Sequence, residues 1–212
     1  MQTFDAIVIG SGQAGTCTND GCTPTKALIA SARRAHTVRL SAELGVHSGS
    51  CEIDFAMIVE RKNRIVSSFR EAADYNDHLV MLKNILHGAN ASIKDRPVPY
   101  TMFTDPQLGR VGLSEEQARS QGHNILVATL PMEKTARGIE TAETKGLMKA
   151  VVDADTKQIL GAAILAAEGG EVMTVLQMAM AGKIPYDAVR EMIIAHPLYA
   201  ESLNNLFMTL DA

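Results

Sequence analysis

No stretch of this 212-residue chain is long and apolar enough to suggest a membrane span. The longest apolar run, ILGAAILAA at 159–167, falls far short of the roughly 20 residues that a bilayer-crossing helix needs. Cysteine is scarce. The chain has three, an odd and sparse set that excludes a secreted disulfide framework. Charge of neither sign dominates: the net charge is −4, so nothing in the balance draws the chain to nucleic acid or to an anionic membrane surface. Asp5 stands where a signal peptide would carry its apolar stretch, and no small-residue cleavage site follows. These absences lead to the expectation of a cytoplasmic protein, where a close cysteine pair is redox-active or metal-binding sooner than structural. Internal repeats and low-complexity segments are missing too. What remains is a globular composition, 46% apolar and 21% charged, sufficient for one large domain or two small ones.

The apolar run FDAIVI at 4–9 stops at Gly10 and reads as a buried strand opening into a tight turn. Helices are expected over 25–44, 54–70 and 75–86. In the first, Thr25 caps, Leu28, Ala32 and Ala35 share a face, and Gly45 ends the helix. Polar NASIKDRP at 90–97 reads as a linker. Beyond it the texture changes. Strands are expected at 100–104 and 109–113 around Asp105-Pro106, then at 124–132, 146–153 and 158–165, with a turn over 153–157. Ser114 and Gln117 fit a capping box opening a short helix that ends at Gly122. Helices over 170–181, 186–193 and 198–210 close the chain. Strands followed by helices predict an antiparallel sheet with helices on one side.

Three groups of residues carry possible chemistry. GSGQAG, with Gly10, Gly12 and Gly15, fits the G-x-G-x-x-G turn that brings backbone close to a pyrophosphate. The helix that should follow Gly15 is replaced by Thr16-Cys17, and no second strand delivers a ribose-binding acid about 20 residues later. A plain glycine-rich turn stays open as the alternative. Cys17 and Cys22 form C-x4-C. Bridging them needs an irregular turn, which Gly21 permits, and Pro24 keeps regular helix from starting before about residue 23. Thiols at a helix N-terminus are held towards thiolate, which suits dithiol–disulfide exchange. Two unreactive thiols are the competing reading. Cys51 is isolated and reads as a small core or surface residue. His196-Pro197 with Glu201 is the third group: a carboxylate about one turn into a following helix could fix one ring nitrogen and leave the other to move a proton. A helix-entry histidine with a dipole-favourable glutamate is the plainer reading of the same residues.

Taken together, these stretches resemble the flavin-dependent pyridine nucleotide-disulfide oxidoreductases, the family that includes dihydrolipoamide dehydrogenase, glutathione reductase and mercuric reductase-like enzymes. FDAIVIGSGQAGT resembles the family's FAD fingerprint, and TCTNDGCTPTKAL its redox-active disulfide motif. VPYTMFTDPQLGRVGLSEEQA is similar to the opening of its C-terminal interface domain, HPLYAE to its active-site His–Glu pair, and YNDHLVMLKNILHG to the last helix of its FAD domain. The resemblance departs at two junctions. One lies between GSGQAGT and CTNDGC, where the family has a helix, a second strand and the ribose-binding acid. The other lies near 70–75, where the family places its NAD(P) domain and a further FAD-binding motif.

The resemblance implies an α/β plus α+β architecture. Residues 1–96 would form a partial Rossmann-like FAD domain carrying the cysteine pair, and residues 97–212 an interface domain with an antiparallel sheet. It implies FAD at Gly10, Ser11, Gly12, Gly15, Thr16 and Lys26, with NAD(P)H as co-substrate. Cys22 would face the flavin and Cys17 would attack a small disulfide-type substrate. His196, oriented by Glu201, would serve the exchange thiol of the other subunit of a homodimer. The C-terminal FMTLDA lacks the extra cysteine pair of mercuric reductases and does not favour mercuric ion. A second reading, a non-catalytic homodimerisation module, keeps only the pairing of residues 97–212.

Overall fold

The computed structural model describes residues 22–69, 75–92 and 97–211. It divides into two compact units, Met1–Asp95 and Arg96–Ala212. The expected strand at 4–9, the glycine turn with Gly10, Ser11, Gly12 and Gly15, and Thr16 and Cys17 lie outside the described residues.

The described part of the first unit is helical. Helix α1 spans Cys22–Leu40 and tightens into a 3-10 turn over Ser41–Leu44. Gly45 stops it in the left-handed region, at φ 78°, where glycine carries no Cβ penalty, and its N–H returns to the Ala42 carbonyl. Thr25 therefore lies inside the helix and does not cap it. Pro24 fits there because the first-turn N–H groups have no intrahelical acceptor to lose. Helix α2, Phe55–Phe69, is capped by Asp54, whose Oδ1 accepts the Met57 N–H at 2.9 Å. Helix α3 spans Tyr75–His87. Helices α1 and α2 pack together, with Ala27 and Val66 buried, and the Arg61 guanidinium donates to the Ala27 carbonyl at 3.1 Å. Leu28, Ala32 and Ala35 line an apolar groove with Ile53, Phe55 and Ile58.

The second unit is built on a five-stranded antiparallel sheet in the order β1-β2-β5-β4-β3. The strands are β1 Tyr100–Met102, β2 Gln107–Gly112, β3 Ile125–Pro131, β4 Leu147–Asp153 and β5 Ile159–Ala166. Alternation fixes which side chains go inward. Ala128 and Leu130 of β3, Met148, Ala150 and Val152 of β4, and Ala162, Ile164 and Ala166 of β5 share one buried face. Ile159 joins that face although it lies three residues from Ala162. The register slips between Val151 and Val152, so one extra residue of β5 resets its phase.

Three helices flank that buried face: α6 Gly169–Ala181, α7 Tyr186–Glu191 and α8 Ser202–Met208. Helix α6 lies on β2 and β5, and α8 on β3 and β4, with Leu176, Leu203, Leu206 and Phe207 fully buried between helix and sheet. The expectation of helices on one side alone needs correcting. Helix α4, Glu115–Ser120, packs Ala118 on Ile125 and Val151 of the opposite face. Its capping box forms between Ser114 and Gln117, with both reciprocal bonds present. A short helix that periodicity does not signal, α5 at Ala136–Glu140, follows β3 through a 3-10 turn. Between β4 and β5, the Asp153 carboxylate accepts the Thr156 and Asp155 N–H groups and the Thr156 hydroxyl, and faces His123 Nδ1 at 2.8 Å. The Thr156 amide and the His123 ring hold its carboxyl at about 2, well below the ordinary value. Among the described residues no helix is long and apolar enough to cross a membrane.

Candidate functional site

The His–Glu pair sits on the connection from α7 to α8. Asn204, in the first turns of α8, sets the base of this connection: its side-chain amide donates towards the carbonyls of Val189, Arg190 and Met192 at 2.9–3.0 Å. One amide group thus serves carbonyls at the end of α7, where the Val189 carbonyl also accepts the Met192 N–H. Arg190 grips both carboxylate oxygens of Asp211 at 2.8 Å and ties α7 to the segment that follows α8. The expected helix over 198–210 is shorter. Residues 198–204 wind with i to i+3 bonds before regular α-helix begins at Ser202, and 206–211 unwind in the same way. Glu201 therefore precedes α8, one residue outside it.

From that position Glu201 reaches back to His196. Nδ1 of the imidazole lies 3.0 Å from Oε1 and 2.9 Å from Oε2. Nδ1 then carries the proton and donates it to the carboxylate, and Nε2 is the nitrogen left to accept one. The His196 side chain is 63% exposed and that of Glu201 29%. The ring faces outward from a partly buried anchor, which suits proton exchange with something arriving at the surface and not a role in the core.

Cys22 and Lys26 lie four residues apart and so on one face of α1. With Ala27, Ala30, Arg61 and Ile65 they line an open cleft of about 370 Å³. Both are half-buried, and among the described residues Cys22 is a free thiol. Cys51 is exposed and lines the apolar groove. Of the residues singled out from sequence, the structure brings His196 to Glu201 and sets Cys22 beside Lys26. Gly10, Ser11, Gly12, Gly15, Thr16 and Cys17 are outside the described residues. Among those described, no group of His, Cys, Asp and Glu gathers in a way that could hold a metal ion.

Sequence reasoning missed two supports of the site, Asn204 and Tyr199. Tyr199 lies within the HPLYAE stretch itself, and its hydroxyl is 2.7 Å from Thr141 Oγ1. Asn204 has no periodic or motif signal, and the place of Tyr199 within HPLYAE does not show its bond to Thr141, because each acts on a segment distant in sequence.

Residues 98–207 match the dimerisation domain of the pyridine nucleotide-disulphide oxidoreductases. The chain is 39% identical over 133 residues to the probable pyridine nucleotide-disulfide oxidoreductase RclA of Escherichia coli (strain K12), covering 62% of this chain and 30% of that protein. It is 27% identical over 218 residues to a mercuric reductase of Shewanella putrefaciens, covering 92% of this chain and 39% of that one. A solved structure, the HOCl-induced flavoprotein disulfide reductase RclA from Escherichia coli, superposes with a TM-score of 0.60 at 36% identity, over 66% of this chain and 34% of that one. The chain therefore spans well under half the length of the relatives it matches. With a family domain covering more than half of its residues and its sheet and helices arranged as that domain requires, the chain belongs to the pyridine nucleotide-disulphide oxidoreductases.

Proposed function

We propose that the chain works in dithiol–disulfide exchange as a homodimer, with His196 and Glu201 of one copy serving the Cys17–Cys22 pair of the other. The observation that carries this reading is the carboxylate-held imidazole, with Nδ1 occupied and Nε2 on an exposed ring. Nε2 of His196 of the partner subunit takes the proton of the Cys17 thiol, and the resulting thiolate attacks one sulfur of a small disulfide and breaks its S–S bond. The expelled thiolate takes a proton from His196 of the partner subunit. The Cys22 thiol then loses its proton to the same imidazole, attacks the Cys17 sulfur, closes the Cys17–Cys22 bond and releases the second half of the acceptor as a thiolate, which takes that proton. Two electrons pass from the dithiol to the acceptor. Glu201 supports this by stabilising the imidazolium and fixing the ring. Exposed apolar side chains of the second unit, Val175 and Met178 on α6 and the wholly exposed Ile193, are the kind of surface a second copy would cover.

Return of the dithiol requires two electrons. FAD, when bound, supplies the carrier that takes them from NAD(P)H to the disulfide. The described residues fit one part of such a site. Cys22, Lys26 and Arg61 line one open cleft with Ala27, Ala30 and Ile65, which gathers a thiol, two cationic side chains and apolar surface. Gly10, Ser11, Gly12, Gly15 and Thr16 would hold the pyrophosphate. The test is to add FAD to the purified chain, remove the excess and record the visible spectrum and the melting temperature. A retained flavin band with a raised melting temperature is expected. A colourless protein whose melting ignores FAD overturns the flavin-linked reading.

One observation favours a second reading, a non-catalytic homodimerisation module. Nearly all buried side chains among the described residues belong to the second unit, so that unit has the core to fold and pair by itself. Thermal proteolysis separates the two readings. Selective loss of residues 1–96 supports the module, and equal protection of both units counts against it.

A further inference from the structure

Helix α5 is short, yet both of its ends are anchored by side-chain hydrogen bonds. Thr135 caps it from a fully buried position: its hydroxyl accepts the Gly138 N–H at 3.2 Å and donates to the Met132 carbonyl at 2.7 Å. Gly138 lets the helix backbone sit against this cap. A Cβ there would lie 2.5 Å from Thr135 Oγ1 and 2.8 Å from the Met132 carbonyl. Met132 itself is fully buried in the main core. The start of α5 is thus fixed to the core through two residues.

The other end of α5 reaches the loop carrying His196. Thr141, which closes the helix, donates its hydroxyl hydrogen to the Arg137 carbonyl at 2.7 Å. A threonine hydroxyl has one hydrogen, so in the 2.7 Å contact with Tyr199 it must accept and the phenol must donate. Burial pushes the Tyr199 phenol up from its ordinary value, which keeps that donor protonated. The Tyr199 ring packs against the main core as well. Tyr199 stands between His196 and Glu201 in sequence, on the turn that lets the carboxylate reach back to the ring. The loop is held at its base by Asn204, and at its middle by the packing of the Tyr199 ring and by this side-chain bond.

We infer that Tyr199, through Thr141, is a positioning residue that holds the His196–Glu201 pair in register. The inference rests on the reading of that pair as the acid–base group. A misplaced Glu201 leaves the ring intact but frees Nδ1, and the imidazole then samples both tautomers. Tyr199→Phe keeps the ring in the core and removes only the donor. Thr141→Val removes only the acceptor, and Thr141→Ser keeps it.

The test is long-range ¹H–¹⁵N NMR of the imidazole of His196 in the full chain at a pH where the ring is neutral. Wild type and Thr141→Ser are expected to show a single Nδ1–H tautomer. Tyr199→Phe and Thr141→Val are expected to show a mixture, approaching the spectrum of Glu201→Gln, with melting temperatures close to wild type. Unchanged tautomer populations in both Tyr199→Phe and Thr141→Val overturn the inference. If Tyr199→Phe does not fold, Thr141→Val decides alone. The readout needs no turnover and no flavin, so a chain without exchange activity fails the proposed function and leaves this result standing.

Discussion

The two units solve the burial problem differently. In residues 97–211, β-alternation and helical stripes converge on one interior, where Phe207, Met132, Met148, Ile164, Leu176, Leu203 and Leu206 lose all contact with water. In the described part of residues 1–95, the two packed helices bury Ala27 and Val66, while Leu44, Val46, Ile53, Phe55 and Met57 stay at least half exposed. At roughly 25 cal/mol per Å² of apolar surface, the second unit gains what a domain needs and the described part of the first leaves most of that gain unrealised. The family domain falls on the second unit alone. A fold can therefore be recognised securely in one region while the chemistry proposed for the chain needs residues of both.

Substitutions at matched positions sharpen this contrast. The largest effect is expected from Phe207→Ala, which empties a fully buried aromatic site beside Tyr186 and should lower the unfolding free energy of the second unit by about 3–5 kcal/mol. Urea unfolding followed by far-ultraviolet circular dichroism measures it, and a loss near zero would mean that the core described here does not hold the unit together. An intermediate effect is expected at acid pH. The Asp153 carboxyl, at about 2, is lower than its ordinary 3.8, so the unfolded chain binds the proton more readily. The stability it contributes is full above the ordinary value and is lost as pH falls through about 2. The gap in urea midpoint between wild type and Asp153→Asn should be widest at neutral pH and close between pH 4 and 2. A gap independent of pH would refute the assignment. The smallest effect is expected from Phe55→Ser. The residue is 67% exposed, so stability should move by no more than about 0.5 kcal/mol. A loss comparable to that of Phe207→Ala would show that the groove of the first unit is covered in solution and that the contrast between units is false.

The second unit was largely legible in its sequence because its signals are local and agree. The strands alternate, Ser114 and Gln117 complete their capping box, and Asp153 to Lys157 turn where short polar residues permit. Where reading failed, the deciding contact was distant. Helix α5 has only five residues and no apolar stripe. It owes its place to Thr135 and Gly138 fitting against Met132, which no spacing rule reveals. The last helix is shorter than its sequence suggests because propensity does not distinguish i+3 from i+4 winding at helix ends. Helix α4 went to the unexpected face because the apolar residues of β3 and β4 alternate on both sides, and only the register shows that Ile125 and Val151 meet. Of the candidate site, the His196–Glu201 pair was readable from a five-residue spacing, whereas Asn204 and Tyr199 were not.

The central claim is that the cysteine pair of one copy works with His196 of another. It is tested most directly by mixing two inactive chains, one carrying Cys17→Ser and Cys22→Ser and the other His196→Gln, under conditions that allow subunits to exchange. The rate at which the reduced protein consumes a chromogenic disulfide is then recorded. In a two-fold dimer half of the pairs are mixed and each mixed pair holds one intact site, so about a quarter of the wild-type rate should return. A mixture as inactive as its components, with exchange of subunits verified by mass, would contradict the claim.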